Sequence, residues 1–347
     1  MGTEIAIKRA GIWGGRGVYL LFGGLFISLV GMAAHVWSGT TSHRTDAART
    51  TAFSYAFTVK NIPPKANRVD IWTPIPQSDA RQSISDLKIT CNYPYSFERE
   101  PEYGNSVLRI EASGSIPESV SVSVNFSVTR TGYHHLDGED QPFGRASEKT
   151  RQRFLAPDLL VPINGKIAEE AKRVVSDTMS PLEKARAIYD HVGRTVTYDK
   201  TGTGWGRGDA IYACDFRRGN CTDFHSLFIG MARASGVPAR FVMGFPLQPN
   251  LSRGEIQGYH CWAEFYVDGI GWLPVDVSEA SKYPDKWNEY FGGLDPHRVQ
   301  FTIGRDIRIP FAGKSDLLNY FIYPHVLVDG KPHDDVQRHI RFSNDPH

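Results

Sequence analysis

At 347 residues, with 41% hydrophobic and 22% charged residues, the chain has apolar material for more than one core and is too apolar for global disorder. Its formal net charge is only +1, which removes the electrostatic case for a nucleic-acid partner. No phosphate-cradling glycine loop of the strand-to-helix kind is present, because no convincing strand precedes Gly204, Gly206 and Gly208.

At the N-terminus Lys8, Arg9 and Arg16 precede an uncharged stretch from Gly17 to Ala34. A basic flank followed by an apolar run targets a membrane, and this run is close to the shortest that spans a bilayer. Residues 1–38 are therefore expected to form a hydrophobic helix that anchors the chain by a single pass. Small residues at Met32-Ala33-Ala34 and Val36-Trp37-Ser38 leave cleavage and secretion as the alternative. Either outcome places the body outside the cytoplasm, in a periplasm or at a cell surface. Residues 39–49, rich in Ser, Thr and Ala, read as a linker.

From residue 50 the pattern alternates. Thr51 to Val59, Arg68 to Trp72 and above all Ser119 to Val128 switch between apolar and polar residues, with turn clusters between them. Pro63, Pro64, Pro74 and Pro76 suit edges and turns. Residues 50–145 are expected to form an antiparallel β-sandwich that spaces the following domain from the membrane, binds substrate or covers one face of that domain.

A helical period begins near Pro157. Ile167, Ala171, Val174 and Val175 suggest one helix, and Ser180-Pro181-Leu182-Glu183 opens another with a capping box and a proline start. Ala185, Ile188, Tyr189 and Val192 supply its core face. Next comes Arg218-Gly219-Asn220-Cys221-Thr222-Asp223-Phe224-His225, where an irregular segment passes into an amphipathic helix that Gly236-Val237-Pro238 stops. Cys221 falls at the helix start, where orphan N–H groups and the helix dipole favour a thiolate. Tyr259 to Val267 reads as a strand, Asp268 to Gly271 as a turn, and Trp272 to Asp276 as a second strand, so that the hairpin returns Asp276 towards His260. Alternation at 301–303, 307–309 and 321–323 predicts further strands, and residues 329–347 read as a polar, partly ordered tail. Residues 150–328 thus form an α+β domain.

A Gly-x-Cys opening a helix, a His-x-Trp on a strand and a Gly-Trp-x-x-x-Asp on the next resemble the three motifs of the transglutaminase-like superfamily, in the right order, over roughly Ser180 to Val277. The resemblance implies a papain-like core in a membrane-anchored or exported protein of bacterial type. It also implies a triad of Cys221, His260 and Asp276, in which the thiolate attacks a protein or peptide amide, the imidazole moves the proton and the acid orients the imidazole. Such chemistry needs oxyanion donors. The backbone N–H of Cys221 is one, while Trp205, Asn220 and Trp262 are candidates for the oxyanion site or the cleft, with Tyr259, Phe245 and Trp272 as further aromatic walls.

Other readings compete at several positions. His225, one turn after Cys221, is placed beside the triad as a supporting residue rather than as its base, and Asp223 as a favourable charge at the helix start. Glu264 is expected to face water. No Cys or His pair has the spacing of structural zinc, and no Asp-rich loop suits calcium, so no cofactor is expected. Exported cysteines can pair, and a Cys214–Cys261 bond would leave Cys221 free, although spacing fixes no connectivity. An acyl-enzyme can be resolved by an amine, as in transfer, or by water, as in a protease, amidase or deamidase. The alternative is a catalytically silent scaffold that binds another envelope or surface protein.

Overall fold

The computed structural model describes residues 47–134, 136, 146–311 and 314–344. The expected membrane segment lies outside these residues. Among the described residues no helix is long and apolar enough to cross a membrane.

The N-terminal part of the described chain is all strand: β1 (Ala48–Val59), β2 (Arg68–Ile75), β3 (Gln82–Thr90), β4 (Tyr95–Arg99), β5 (Ser106–Ser113) and β6 (Val120–Thr131), followed by the short β7 (Tyr133–His134). The period of two read from the sequence is the period of burial. Phe53, Tyr55, Phe57 and Val59 of β1 turn inward, as do Val120, Val122, Val124, Phe126 and Val128 of β6. The two strands pair antiparallel from Ala48↔Thr131 to Val59↔Val120.

A mixed region follows, with α1 (Glu148–Leu155), α2 (Gly165–Lys172), α3 (Pro181–Thr195), β8 (Thr197–Tyr198), α4 (Ala210–Phe216), β9 (Arg218–Gly219), α5 (Cys221–Ala234), β10 (Ala239–Pro246), β11 (Arg253–Glu255), β12 (His260–Val267), β13 (Gly271–Val275) and α6 (Val277–Lys282). The remaining strands are β14 (Gly293–Leu294), β15 (Arg298–Ile303), β16 (Ile307–Phe311), β17 (Lys314–Leu318), β18 (His325–Val328), β19 (Lys331–Pro332) and β20 (Val336–Ser343). The capping box expected at Ser180 is formed, with Glu183 reaching back to the Ser180 N–H at 2.7 Å. The helix predicted to include Val174 and Val175 stops at Lys172, so both valines lie in the turn that follows.

Three sheets organise these elements. One has the order β11-β20-β1-β6-β3, a second β19-β18-β2-β5-β4, and a third β13-β12-β10-β15. The first two present their apolar faces to a shared core, which continues beneath α5 and the third sheet. Gly244 is required where β10 meets β15, because a Cβ there would collide with the Val299 carbonyl.

The C-terminal segment corrects the sequence reading. Residues 336–343 are not a tail: β20 pairs with β1 from Ala52↔Ser343 to Val59↔Val336, burying Ile340 and Phe342. Alternate residues of this strand face solvent, and that made it look polar. Residues 321–323 form no strand, because Phe321 and Ile322 are buried in a connection and the Phe321 carbonyl accepts from Thr302 at 2.6 Å. Ending the chain before Val336 is expected to remove the burial of Ile340 and Phe342, about 3–6 kcal/mol. Thermal unfolding followed by circular dichroism should then fall by roughly 6 °C or more, and an unchanged midpoint would show β20 to be dispensable.

Candidate functional site

The start of α5 is held in place around its first residue, Cys221. Asn220 caps α5, its side-chain oxygen accepting the Thr222 N–H at 3.0 Å, and Asp223 accepts the Asn220 N–H at 2.9 Å. Asp223 does more than complement the dipole. Its carboxylate also accepts the N–H groups of Gly206 at 2.7 Å and Gly208 at 3.0 Å, tying the glycine loop to the helix start. From the other side buried Arg305 donates to the Gly208 carbonyl at 2.6 Å and the Arg207 carbonyl at 3.1 Å. The loop is thus pinned by an anion on its N–H groups and a cation on its carbonyls.

Cys221 occupies the first helical position and is 3% exposed. Hydrogen bonds from the Cys261 thiol and from His260 hold its own thiol well below the ordinary range, against the opposing effect of burial. Burial pushes the Cys261 thiol up, so it stays protonated and serves as a donor. His260, the first residue of β12, donates from Nε2 to Oδ2 of Asp276 at 2.7 Å. Burial disfavours its charged form, yet the Asp276 carboxylate and the Cys221 side chain raise it to about 10. Asp276 is fully buried at the end of β13, and His260 and Arg298 keep it well below the usual carboxylate range despite that burial. Its Oδ1 also accepts from the Ser278 hydroxyl and the Glu279 N–H, each at 3.1 Å.

His225 is fully buried. Its Nε2 accepts the Val277 N–H at 3.1 Å, which places the ring proton on Nδ1, 3.6 Å from Cys261 Sγ. Burial pushes it down to about 4, so it is a neutral strut between α5 and the segment after Asp276. The adjacent residues His260 and Cys261 would point apart in a regular strand; at this strand end both reach Cys221.

The secondary candidates divide. Asn220 lies next to Cys221, its amide nitrogen donating to the Tyr259 hydroxyl at 3.3 Å. Trp205 spends its indole N–H on the Gly202 carbonyl at 3.2 Å within its own loop. Trp262 is fully buried against Tyr133, Val242 and Leu294, so it is core and no cleft wall. Phe245 is core as well, and Trp272 packs edge-on to Phe154. Tyr259 is half-buried against Tyr320 and Tyr323. Glu264 is 6% exposed and bonds Arg240 at 2.6 Å across the β10–β12 pair, contrary to the expected solvent face. All four cysteines are free thiols, so Cys214 and Cys261 are unbonded. Among the described residues no cluster of three or more His, Cys, Asp or Glu side chains is arranged to hold a metal.

Sequence reasoning missed Arg298, Arg305 and Cys261. The two arginines approach from β15 and the connection after it, with no spacing relation to the motifs. Cys261 stands next to His260 in the sequence, where regular strand alternation would turn it to the opposite face.

Residues 168–277 match the family model of the transglutaminase-like superfamily. An uncharacterized protein of Haemophilus influenzae is 24% identical over 88% of this chain and 93% of its own length. A crystal structure of a candidate cysteine protease from Cytophaga hutchinsonii covers 86% of this chain and 98% of that one, at 18% identity and a TM-score of 0.54, a likeness of fold. The periplasmic domain of TgpA from Pseudomonas aeruginosa gives a TM-score of 0.35 at 16% identity, over 70% of this chain and 91% of that one.

Proposed function

Residues 168–277 belong to the transglutaminase-like superfamily, and from that premise we propose that the protein is a thiol enzyme acting on a protein or peptide amide. Cys221 is the nucleophile, His260 the proton carrier and Asp276 the acid that orients it. The observation that carries this reading is the buried His260–Asp276 pair, bonded at 2.7 Å, with His260 holding low the thiol of Cys221 at the first position of α5.

The steps follow from the geometry. The Cys221 sulfur attacks the amide carbon, and the developing oxyanion meets the orphan backbone N–H at the start of α5. As the C–N bond breaks, the His260 imidazolium gives its proton to the departing nitrogen, leaving a thioester and a neutral imidazole. The imidazole then takes a proton from the second nucleophile as it attacks the thioester carbon, and the C–S bond breaks to return the Cys221 thiolate. An amine yields transfer and water yields hydrolysis. The site is proposed to work outside the cytoplasm, on the strength of Lys8, Arg9 and Arg16 ahead of the apolar run from Gly17 to Ala34.

Alkylation of Cys221 by iodoacetamide in the full chain, read by peptide mass spectrometry across pH, tests the activated pair. Labelling is expected to stay fast well below pH 8.5, the ordinary thiol midpoint of about 8.5. In His260→Ala the imidazolium is gone, so the thiolate should form only at higher pH. Slow labelling of the unaltered chain below pH 8.5 would remove the thiolate and leave a non-catalytic scaffold.

A further inference from the structure

His260 is not the only cation on the triad acid. Arg298, the first residue of β15 and 3% exposed, donates from Nη1 to Oδ2 of Asp276 at 2.8 Å, the same oxygen that accepts from His260 at 2.7 Å. Its Nη2 donates to Oδ2 of Asp295 at 2.7 Å, and its guanidinium lies over the Trp262 ring, 5.2 Å from the centroid. Arg298 is thereby fixed by an anion on each side and an aromatic face beneath.

We propose that Arg298 is a positioning residue that, by sharing the Asp276 Oδ2 oxygen, aims the carboxylate at His260 and limits how tightly the imidazolium keeps its proton. The inference rests on the functional reading above. Acyl-enzyme formation ends with the imidazolium proton moving to the leaving nitrogen. An imidazolium whose carboxylate is undivided releases that proton less readily, and a second positive charge on the same oxygen offsets this.

The other groups around the pair do not supply that charge. Cys221 and His225 face His260 from α5, the first a thiolate and the second neutral. Cys261, next to His260 on β12, keeps its proton. Tyr189 on α3 and Tyr290 ahead of β14 act on Asp276 through space as neutral phenols, both raised above their ordinary range by burial. Lys282 on α6 is cationic but bonds Glu279 at 2.7 Å, not Asp276. Among the described residues Arg298 is therefore the cation, other than His260, that directly bonds Asp276.

The test is the imidazole titration of His260, followed by NMR in the full chain labelled at histidine and assigned by loss of the signal in His260→Gln. A Cys221→Ser background removes the thiolate, which itself raises His260. Adding Arg298→Met is expected to move the midpoint up by about one unit or more, whereas Arg298→Lys, which keeps the charge, should leave it within a few tenths. Asp295→Asn, which frees Arg298 for Asp276 alone, should move it down without disturbing the triad. An unchanged or lower midpoint in Arg298→Met, or an unchanged or higher one in Asp295→Asn, overturns the inference. Inert Cys221 in the unaltered chain would sink the functional reading instead, and the titration would still decide what Arg298 does to His260.

Discussion

Replacing Cys221 by alanine is expected to abolish amide turnover, by about 10⁵-fold or more, because removal of the nucleophile leaves only binding and oxyanion contacts. The assay sets the full chain against a broad peptide panel, reading amine incorporation and amide hydrolysis together by mass spectrometry. The effect should be chemical rather than structural. Cys221 is a small side chain at the first helical position, and the capping contacts are made by Asn220 and Asp223, so thermal unfolding should move by only a few degrees. Serine should fare little better, because a hydroxyl lacks the low-lying ionised form that Cys261 and His260 give the thiol. Turnover that survives in the alanine variant would remove Cys221 from the mechanism.

Among the point substitutions, Asp223→Ala carries the largest expected stability loss. Three backbone N–H groups, those of Gly206, Gly208 and Asn220, converge on its carboxylate. Each buried donor left without an acceptor costs about 1–3 kcal/mol, so the variant should lose roughly 3 kcal/mol or more in denaturant unfolding. Asp223→Asn keeps one acceptor oxygen and should lose less. The same variant should loosen the loop that carries Trp205 against the Cys221 helix, which limited proteolysis would detect as new cleavage between Thr203 and Gly208. Equal stability of the aspartate and alanine forms would mean that solvent replaces the carboxylate and that the loop is not fastened there.

What the sequence disclosed was local. Period-two burial in β1 and β6, the capping box at Ser180 and the helix opening at Cys221 depend on neighbours a few residues away, and each is found in the structure. Partners supplied from distant chain could not be read in this way. Arg298 reaches Asp276 across 22 positions and Arg305 reaches Gly208 across 97, with no motif linking them. Glu264 looked solvent-facing because a carboxylate usually is, and only the register that sets it opposite Arg240 explains its burial. The polar alternation of β20 hid a strand whose partner lies at the other end of the described chain.

That last pairing bears on when the fold can be completed. Arg49 meets Asn344 across 295 positions, and the chain between them contains Cys221, His260 and Asp276. The ribosome delivers the chain from its N-terminal side, so β1 must wait with one hydrogen-bonding edge open until β20 arrives. Cys221, His260 and Asp276 are all synthesised before β1 and β20 can pair. A sequence-distant seam of this kind makes completion of the fold a late event, one that follows synthesis of nearly all the described chain.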